Sequence, residues 1–105
     1  MPFFSIIIPS YNRSGQIIHT IESLLKQTFD SYEVIVVDDG STDDTKEKLS
    51  GYFTSGTIYY YHQENKGVCS ARNHGAANSR GEYLIFLDSD DEVLPEWLSD
   101  FKVVA

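Results

Sequence analysis

Apolar residues along the chain fall into short continuous runs that alternate with sets spaced three and four residues apart. The runs at 3–8, 32–37, 58–61 and 83–87 predict four strands, and the branched and aromatic residues of the last run are typical of a strand buried on both faces. The spaced sets predict a helix after each strand. Repeated β-α units of this kind predict an α/β fold, in which a mainly parallel sheet is flanked by helices.

Local signals mark where these elements begin and end. Pro9 is expected to stop the first strand. Thr42 or Ser41 suits the cap of the second helix, and Pro95 suits the start of the fourth. The fourth helix keeps its apolar spacing to the last residue without a stop signal. We therefore expect residues 1–105 to form one domain that is a piece of a longer protein.

Composition narrows the classes of function. The chain has 105 residues and a net charge of −8, which argues against a surface for nucleic acid or for anionic membranes. Cys69 is the only cysteine, which excludes an intrachain disulfide and favours a reducing, cytoplasmic location. No apolar stretch approaches the roughly 20 residues that span a bilayer, so we expect no membrane segment in this chain and at most an inner-face association for a longer form.

A dense acidic segment, Asp88-Ser89-Asp90-Asp91-Glu92, follows the last strand without a spacer. Unpaired carboxylates are too costly to bury, so these acids must lie in solvent or on a cation. Asp88 and Asp90 are two residues apart, and carboxylates spaced this way in a turn suit one hard divalent cation, Mg²⁺ or Mn²⁺. A solvated acidic loop is the alternative. The position beyond a strand's carboxyl end favours a ligand site, because open α/β sheets bind ligands there.

The other strand ends carry residues with matching uses. Because parallel strands share one carboxyl edge, Tyr11, the pair Asp38 and Asp39, and residues 65–67 are expected beside the acidic segment. Tyr11 suits stacking on a nucleobase, and Asp39 suits accepting a hydrogen bond from a base N–H such as uracil N3. Asp38 would reach the same base or a ribose hydroxyl. The alternatives are an ordinary loop tyrosine and a helix-capping turn made by residues 38–43.

Three residues follow the third strand. Gly67 permits a close backbone approach or a positive φ. Arg72, one turn into the third helix, suits a phosphate or the acidic segment, with a surface ion pair as the alternative. His74 is expected to be an exposed helix residue rather than a ligand.

Taken together, these segments resemble the family 2 glycosyltransferases, enzymes with the GT-A fold. The matching segments are Pro9-Ser10-Tyr11-Asn12, Gln27-Thr28-Phe29, residues 37–43, residues 65–75, and residues 87–91 with Pro95. The resemblance therefore covers nearly the whole chain. It implies an inverting transfer of a sugar from a nucleotide diphosphate donor, with uridine the expected nucleoside, to a hydroxyl of a carbohydrate or lipid-linked acceptor.

The resemblance also implies roles for individual residues. The expected nucleotide contacts are Pro9, Tyr11, Asp38, Asp39, Gly67, Arg72, Asp88 and Ser89, and the expected ligands of Mn²⁺ or Mg²⁺ are Asp88 and Asp90. An inverting mechanism needs a general base, and in the family this carboxylate and the acceptor site lie beyond the position of Ala105. We therefore expect the donor-binding half of an enzyme, which alone binds nucleotide weakly and transfers little or no sugar.

Three other interpretations compete with this one. A Rossmann-type dehydrogenase fits the acids after the second strand, but residues 9–15 contain only Gly15 and no Gly-x-Gly-x-x-Gly. A receiver domain requires an acidic pair after the first strand, and residues 10–12 offer none. A nucleotide-binding module without catalysis stays open. An uncovered sheet edge would also favour pairing into a homo-oligomer.

Overall fold

The computed structural model describes residues 2–104, in which four parallel strands form one sheet. The strands are β1 (Phe4–Ser10), β2 (Tyr32–Asp39), β3 (Tyr59–Gln63) and β4 (Tyr83–Phe86), and their order across the sheet is β3-β2-β1-β4. They alternate with the helices α1 (Ser14–Leu24), α2 (Thr45–Thr54), α3 (Val68–Ala77) and α4 (Trp97–Val104). The predicted α/β fold with a parallel sheet is confirmed.

Helices cover both faces of the sheet because side chains alternate along each strand. On one face, Ile6, Ile8 and Val36 belong to an apolar cluster to which α1, α2 and α4 also contribute. On the other face, Ile7 and its strand neighbours pack against α3 through Ala71. Within residues 2–104, no helix combines the length and the hydropathy that a membrane crossing requires.

The first two strands run further than the sequence predicted. The prediction that Pro9 stops the first strand is wrong, because β1 continues to Ser10 and Pro9 pairs with Val37. The carbonyl oxygen of Ile7 points to the side of β4 and accepts from the backbone nitrogen of Leu87, just after that strand. Backbone groups two residues apart along a strand point to the same side, so the nitrogen of Pro9 also points toward β4. Strand β4 has already ended at Phe86, so a proline at this position costs no ladder hydrogen bond.

The prediction that the fourth strand is buried on both faces is also wrong. Strand β4 lies at the edge of the sheet, and Leu84 and Phe86 are 42% and 47% exposed. Helix α3 packs over β1 and β2, and it covers β4 only in part on that face. An apolar run therefore identified the strand correctly but not its place in the sheet.

The second and fourth helices begin later than predicted. Helix α2 starts at Thr45, so neither Ser41 nor Thr42 caps it. Instead, the carboxylate of Asp43 accepts hydrogen bonds from both the backbone nitrogen and the hydroxyl of Thr45. Helix α4 starts at Trp97, two residues after Pro95, because Pro95 and the residue after it form a turn that precedes the helix.

Candidate functional site

A cavity of about 570 Å³ opens at the carboxyl edge of the sheet, where the loops that follow the strands meet. Seven of the residues selected from the sequence line it: Pro9, Tyr11, Asp39, Gly67, Asp88, Ser89 and Asp90. Asn65, which was expected at this edge without an assigned role, also lines it, and four further lining residues were not selected: Ser10, Arg13, Val68 and Ala71. The side chains of Asp38 and Arg72, which the sequence also indicated, do not line the cavity.

Asp39 is buried in the wall of the cavity and accepts three hydrogen bonds. Its Oδ1 accepts from Gln63 Nε2 and from the backbone nitrogen of Lys66, each at 2.8 Å, and its Oδ2 accepts from the backbone nitrogen of Gly67 at 2.9 Å. Burial alone would raise the pKa of Asp39, but these hydrogen bonds outweigh it and hold the pKa below its ordinary value. A carboxylate accepts about four hydrogen bonds, so Oδ2 keeps one position for a ligand donor.

Gly67 presents its backbone to Asp39 from an unusual conformation. Its φ is 98°, and it stands immediately before the first residue of α3. No atom lies within 4 Å of the position that a Cβ would occupy, so the glycine is required by its positive φ and not by lack of space. The backbone thereby turns its N–H toward the carboxylate of Asp39.

Asp38 faces the opposite side of the sheet from Asp39, because adjacent residues of a strand point to opposite faces. Its buried carboxylate accepts from the backbone nitrogen of Ser41 at 2.9 Å and from the hydroxyl of Tyr60. Burial and the hydrogen bond to Asp38 raise the pKa of Tyr60. Asp38 therefore anchors the loop after β2, and the structure does not bring it to the cavity with Asp39.

Gln63 is a supporting residue that sequence reasoning missed. It belongs to β3, where it pairs with Asp39, and its Oε1 lies 2.9 Å from Nδ1 of His74. His74 is half-buried rather than exposed, and it contacts the ring of Tyr61. The contact between Nδ1 of His74 and Oε1 of Gln63 leaves the amide nitrogen of Gln63 to donate to Asp39. A strand predicted through residue 63 would have paired Asp39 with Gln63.

Arg72 occupies a position apart from the cavity lining. Its guanidinium lies 5.8 Å from the centroid of the Phe86 ring, on the face of β4 that α3 covers only in part. Its Nε is buried and has no hydrogen-bond partner among the described residues. The two ion pairs that the structure shows within residues 2–104 do not include Arg72, so the surface ion pair considered as an alternative is not formed there. Arg13 is the basic side chain that lines the cavity instead.

The acidic segment after β4 forms a turn at the rim of the cavity, closed by a hydrogen bond from the backbone of Asp91 to the carbonyl of Asp88. The buried Ser89 ties this turn to α1, because its carbonyl accepts from the hydroxyl of Thr20 at 3.0 Å. Asp88, Asp90 and Asp91 are exposed, and each offers a carboxylate oxygen within 4.8 Å of the others. Three hard oxygen donors at this spacing fit Mg²⁺ or Mn²⁺.

A parallel sheet with a polar cavity at its carboxyl edge is the architecture of α/β domains that bind ligands beyond their strand ends. The sequence profile of Glycosyl transferase family 2 matches residues 5–101, and the chain belongs to this family. A glycosyltransferase of Rickettsia bellii without an assigned activity is 49% identical over 87 residues, which are 83% of this chain and 13% of that protein. The chain thus spans about an eighth of the length of this relative.

Solved structures agree with the family assignment. S. aureus TarS 1-349 in complex with UDP-GlcNAc superposes with a TM-score of 0.89 and 36% identity, over 98% of this chain and 30% of that one. The mannosyltransferase PcManGT of Pyrobaculum calidifontis, in complex with GDP-Man and Mn²⁺, superposes with a TM-score of 0.76 and 26% identity, over 87% of this chain and 28% of that one. The resemblance to GT-A glycosyltransferases is therefore confirmed.

Proposed function

We propose that this chain binds a nucleoside diphosphate sugar and is the donor-binding part of an enzyme that transfers the sugar, with inversion, to a hydroxyl of a carbohydrate or lipid-linked acceptor. The observation that carries the proposal is the single cavity that joins Tyr11, Asp39 and the acidic turn at 88–91. A base needs a stacking ring and a hydrogen-bond acceptor, as Tyr11 and Asp39 offer, and the cation that accompanies a diphosphate needs carboxylates, as the acidic turn offers.

Asp39 and Tyr11 are proposed as the contacts to the base. The free position on Oδ2 of Asp39 suits a base that presents an N–H, as uracil does at N3, whereas cytosine has no proton there. Tyr11 is 46% exposed and lines the same cavity, so its ring is available for stacking. Guanine also presents an N–H, at N1, so this hydrogen bond alone does not select uridine. Uridine is the nucleoside we propose because the structural relative that contains UDP-GlcNAc supports it.

The diphosphate is proposed to lie between Arg13 and the acidic turn. Arg13 is the basic side chain among the residues that line the cavity, and it offers a positive charge in a chain of net charge −8. Asp88 and Asp90 are proposed to hold Mn²⁺ or Mg²⁺, which would neutralise the charge that develops on the departing diphosphate. The structural relative that contains Mn²⁺ supports a divalent cation without deciding between the two metals.

No residue of the cavity is assigned as the general base. Asp39 is committed to three protein donors, and the carboxylates of the turn are proposed for the cation. We propose that the base lies outside residues 1–105. The chain alone should then bind the donor weakly and transfer little or no sugar, and robust transfer by the chain alone would refute this part of the proposal.

The metal assignment is tested by calorimetric titration of UDP with and without Mn²⁺. Wild type and Asp90→Asn are compared with Asp100→Asn, a matched control that removes the same charge from an exposed position of α4. We expect Mn²⁺ to strengthen UDP binding to wild type and to Asp100→Asn but not to Asp90→Asn. Equal metal dependence in all three proteins would reject Asp90 as a ligand.

The base assignment is tested separately with uridine and 3-methyluridine, which lacks the N3 proton. Wild type should bind uridine at least about tenfold more tightly than 3-methyluridine, because the methylated base leaves an oxygen of the buried Asp39 carboxylate without a donor. In Asp39→Ala this preference should disappear. Equal binding of both nucleosides by wild type would contradict the role of Asp39, while leaving the cavity as a nucleotide site.

A further inference from the structure

Asn12 follows the cavity residue Tyr11 and adopts a backbone conformation that residues other than glycine rarely take. Within residues 2–104 it is the only residue other than glycine with a positive φ, at 52°. Asparagine visits this left-handed region more readily than most residues, although still at a cost. A conformation of this kind persists where the surrounding structure holds it.

Hydrogen bonds to the loop after β2 hold Asn12 in this conformation. Its Oδ1 accepts from the backbone nitrogens of Thr42 at 2.8 Å and Asp43 at 3.3 Å, and its own backbone nitrogen donates to Ser41 Oγ at 2.9 Å. The backbone nitrogen of Ser14 adds a bond to the Asp43 carboxylate at 3.1 Å. The loops that follow β1 and β2 are therefore joined mainly through one residue, Asn12.

The loop that receives Asn12 is itself anchored in the sheet. Ser41 donates its backbone N–H to the buried carboxylate of Asp38, which also accepts from Tyr60. Tyr11 lacks comparable support, since nearly half of its side chain is exposed. The path of its backbone is fixed by its two neighbours, the strand residue Ser10 on one side and Asn12, which binds this anchored loop, on the other.

We propose that Asn12 is a positioning residue, which holds Tyr11 at the wall of the cavity that Asp39 also lines, so that a nucleobase meets both residues already in place. The inference rests on the proposed function and deepens it. A site ordered before binding does not lose affinity to the ordering of its loops. Asn12 itself contacts the two loops and lies outside the cavity lining.

Three substitutions separate the two properties of Asn12. Asn12→Gly keeps access to a positive φ and loses the side-chain acceptor. Asn12→Asp keeps an acceptor oxygen and tolerates the left-handed conformation, and Asn12→Ala loses both. Asn78→Gly is a matched control, because it removes one side-chain hydrogen bond, from Asn78 to the carbonyl of His74, just after the last residue of α3 and far from the cavity end of that helix.

The experiment is a titration of uridine into these proteins, followed by NMR, with urea unfolding in parallel. Uridine is used because it carries no phosphate, so the extra negative charge of Asn12→Asp does not repel the ligand as it would repel UDP. We expect about a tenfold loss of affinity in Asn12→Gly, a larger loss in Asn12→Ala, recovery to within about threefold in Asn12→Asp, and no change in Asn78→Gly. In a Tyr11→Ala background, Asn12→Gly should change affinity by less than about twofold, because the two residues act as one unit.

The outcomes distinguish this inference from the proposed function. If wild type binds uridine and folded Asn12→Gly binds it equally well, with only its urea midpoint lowered, Asn12 has a structural role alone and the inference is overturned. The same conclusion follows if Asn12→Gly weakens binding equally with and without Tyr11. A folded wild-type chain that binds neither uridine nor UDP would overturn the proposed function, and this inference with it.

Discussion

Gly75 is a position at which helix α3 lies close to the sheet, and replacing it by alanine tests that packing. A Cβ at residue 75 would lie 2.5 Å from Cγ2 of Ile7 and 3.3 Å from Cγ2 of Val37. Ordinary carbon contacts are about 3.5–4.0 Å, so Ile7 or the helix must move by about 1 Å. Ile7 is fully buried in a strand with a neighbour on each side, and its branched side chain has few rotamers to choose from.

The magnitude follows from two opposing effects. Crowding a packed core by one methyl group costs about 1–3 kcal/mol, whereas Gly→Ala inside a helix contributes about 0.5–1 kcal/mol of stability. Gly51→Ala provides the matched control, because Gly51 lies inside helix α2 with nothing within 4 Å of its Cβ position. The stabilisation of the helix by alanine is common to both variants. The difference between their free energies of unfolding, about 1–3 kcal/mol, therefore measures the cost of crowding the core at residue 75.

The assay is urea unfolding of wild type and both variants by circular dichroism. Gly51→Ala should raise the midpoint and Gly75→Ala should lower it, which separates the two variants on the order of 1 M urea at unchanged slope. If Gly75→Ala were as stable as Gly51→Ala, helix α3 would not approach the sheet as closely as described. The placement of Gly67 beside Asp39, which depends on this helix, would then be wrong as well.

Three further predictions concern buried polar groups. Because hydrogen bonds lower the pKa of Asp39, its contribution to stability is complete above the unfolded carboxyl pKa of about 3.9 and is lost as the pH falls through the lower folded value. The stability difference between wild type and Asp39→Asn should therefore be constant from pH 7 to about 5 and change only at more acidic pH; a change centred near neutral pH would contradict this. Tyr60→Phe leaves a buried oxygen of Asp38 without its donor and should cost about 1–3 kcal/mol in urea unfolding, and an unchanged midpoint would mean that this oxygen reaches water. Glu33→Ala leaves the hydroxyl of Ser5 and the backbone nitrogen of Arg80 without their acceptor at the amino end of β2, and it should cost a similar amount of stability. The affinity for UDP should stay at the wild-type value, and a loss of affinity would count against a purely structural role of Glu33.

Hydrophobic periodicity was sufficient to predict the order of strands and helices, because each buried strand needs a continuous apolar run. It was not sufficient to place them in the sheet. The exposure of Phe86 depends on the strand order, which no local pattern contains. The tolerance of Pro9 in β1 depends on where the neighbouring strand β4 ends, which is again a property of the assembled sheet.

The candidate site was predictable to the extent that it follows from topology. Parallel strands bring their carboxyl ends to one edge, so Tyr11, Asp39 and Asp90 line one cavity. Asp38 was grouped with Asp39 because the second strand was expected to end at Val37. Once the strand continues through both aspartates, strand alternation sends them to opposite faces.

The missed residues depend on contacts between segments distant in sequence. Gln63 reaches Asp39 through the pairing of β3 with β2, and the importance of Asn12 emerges only from the hydrogen bonds that join two loops about 30 residues apart. A left-handed asparagine after Tyr11 is a weak signal in the sequence alone, because asparagine is common in ordinary loops. Tertiary hydrogen bonds distinguish the positioning residue from the loop residue.

The most direct test of the nucleotide site is a titration of UDP into the ¹⁵N-labelled chain with Mg²⁺ present, followed residue by residue by NMR. The structure predicts saturable shifts at the amides of Tyr11, Lys66 and Gly67, which surround Asp39 and the cavity. The amide of Gly81, at the opposite edge of the sheet where it donates to Ser5, should not move. No saturable shift, or shifts confined to Gly81 and its neighbours, would contradict the account.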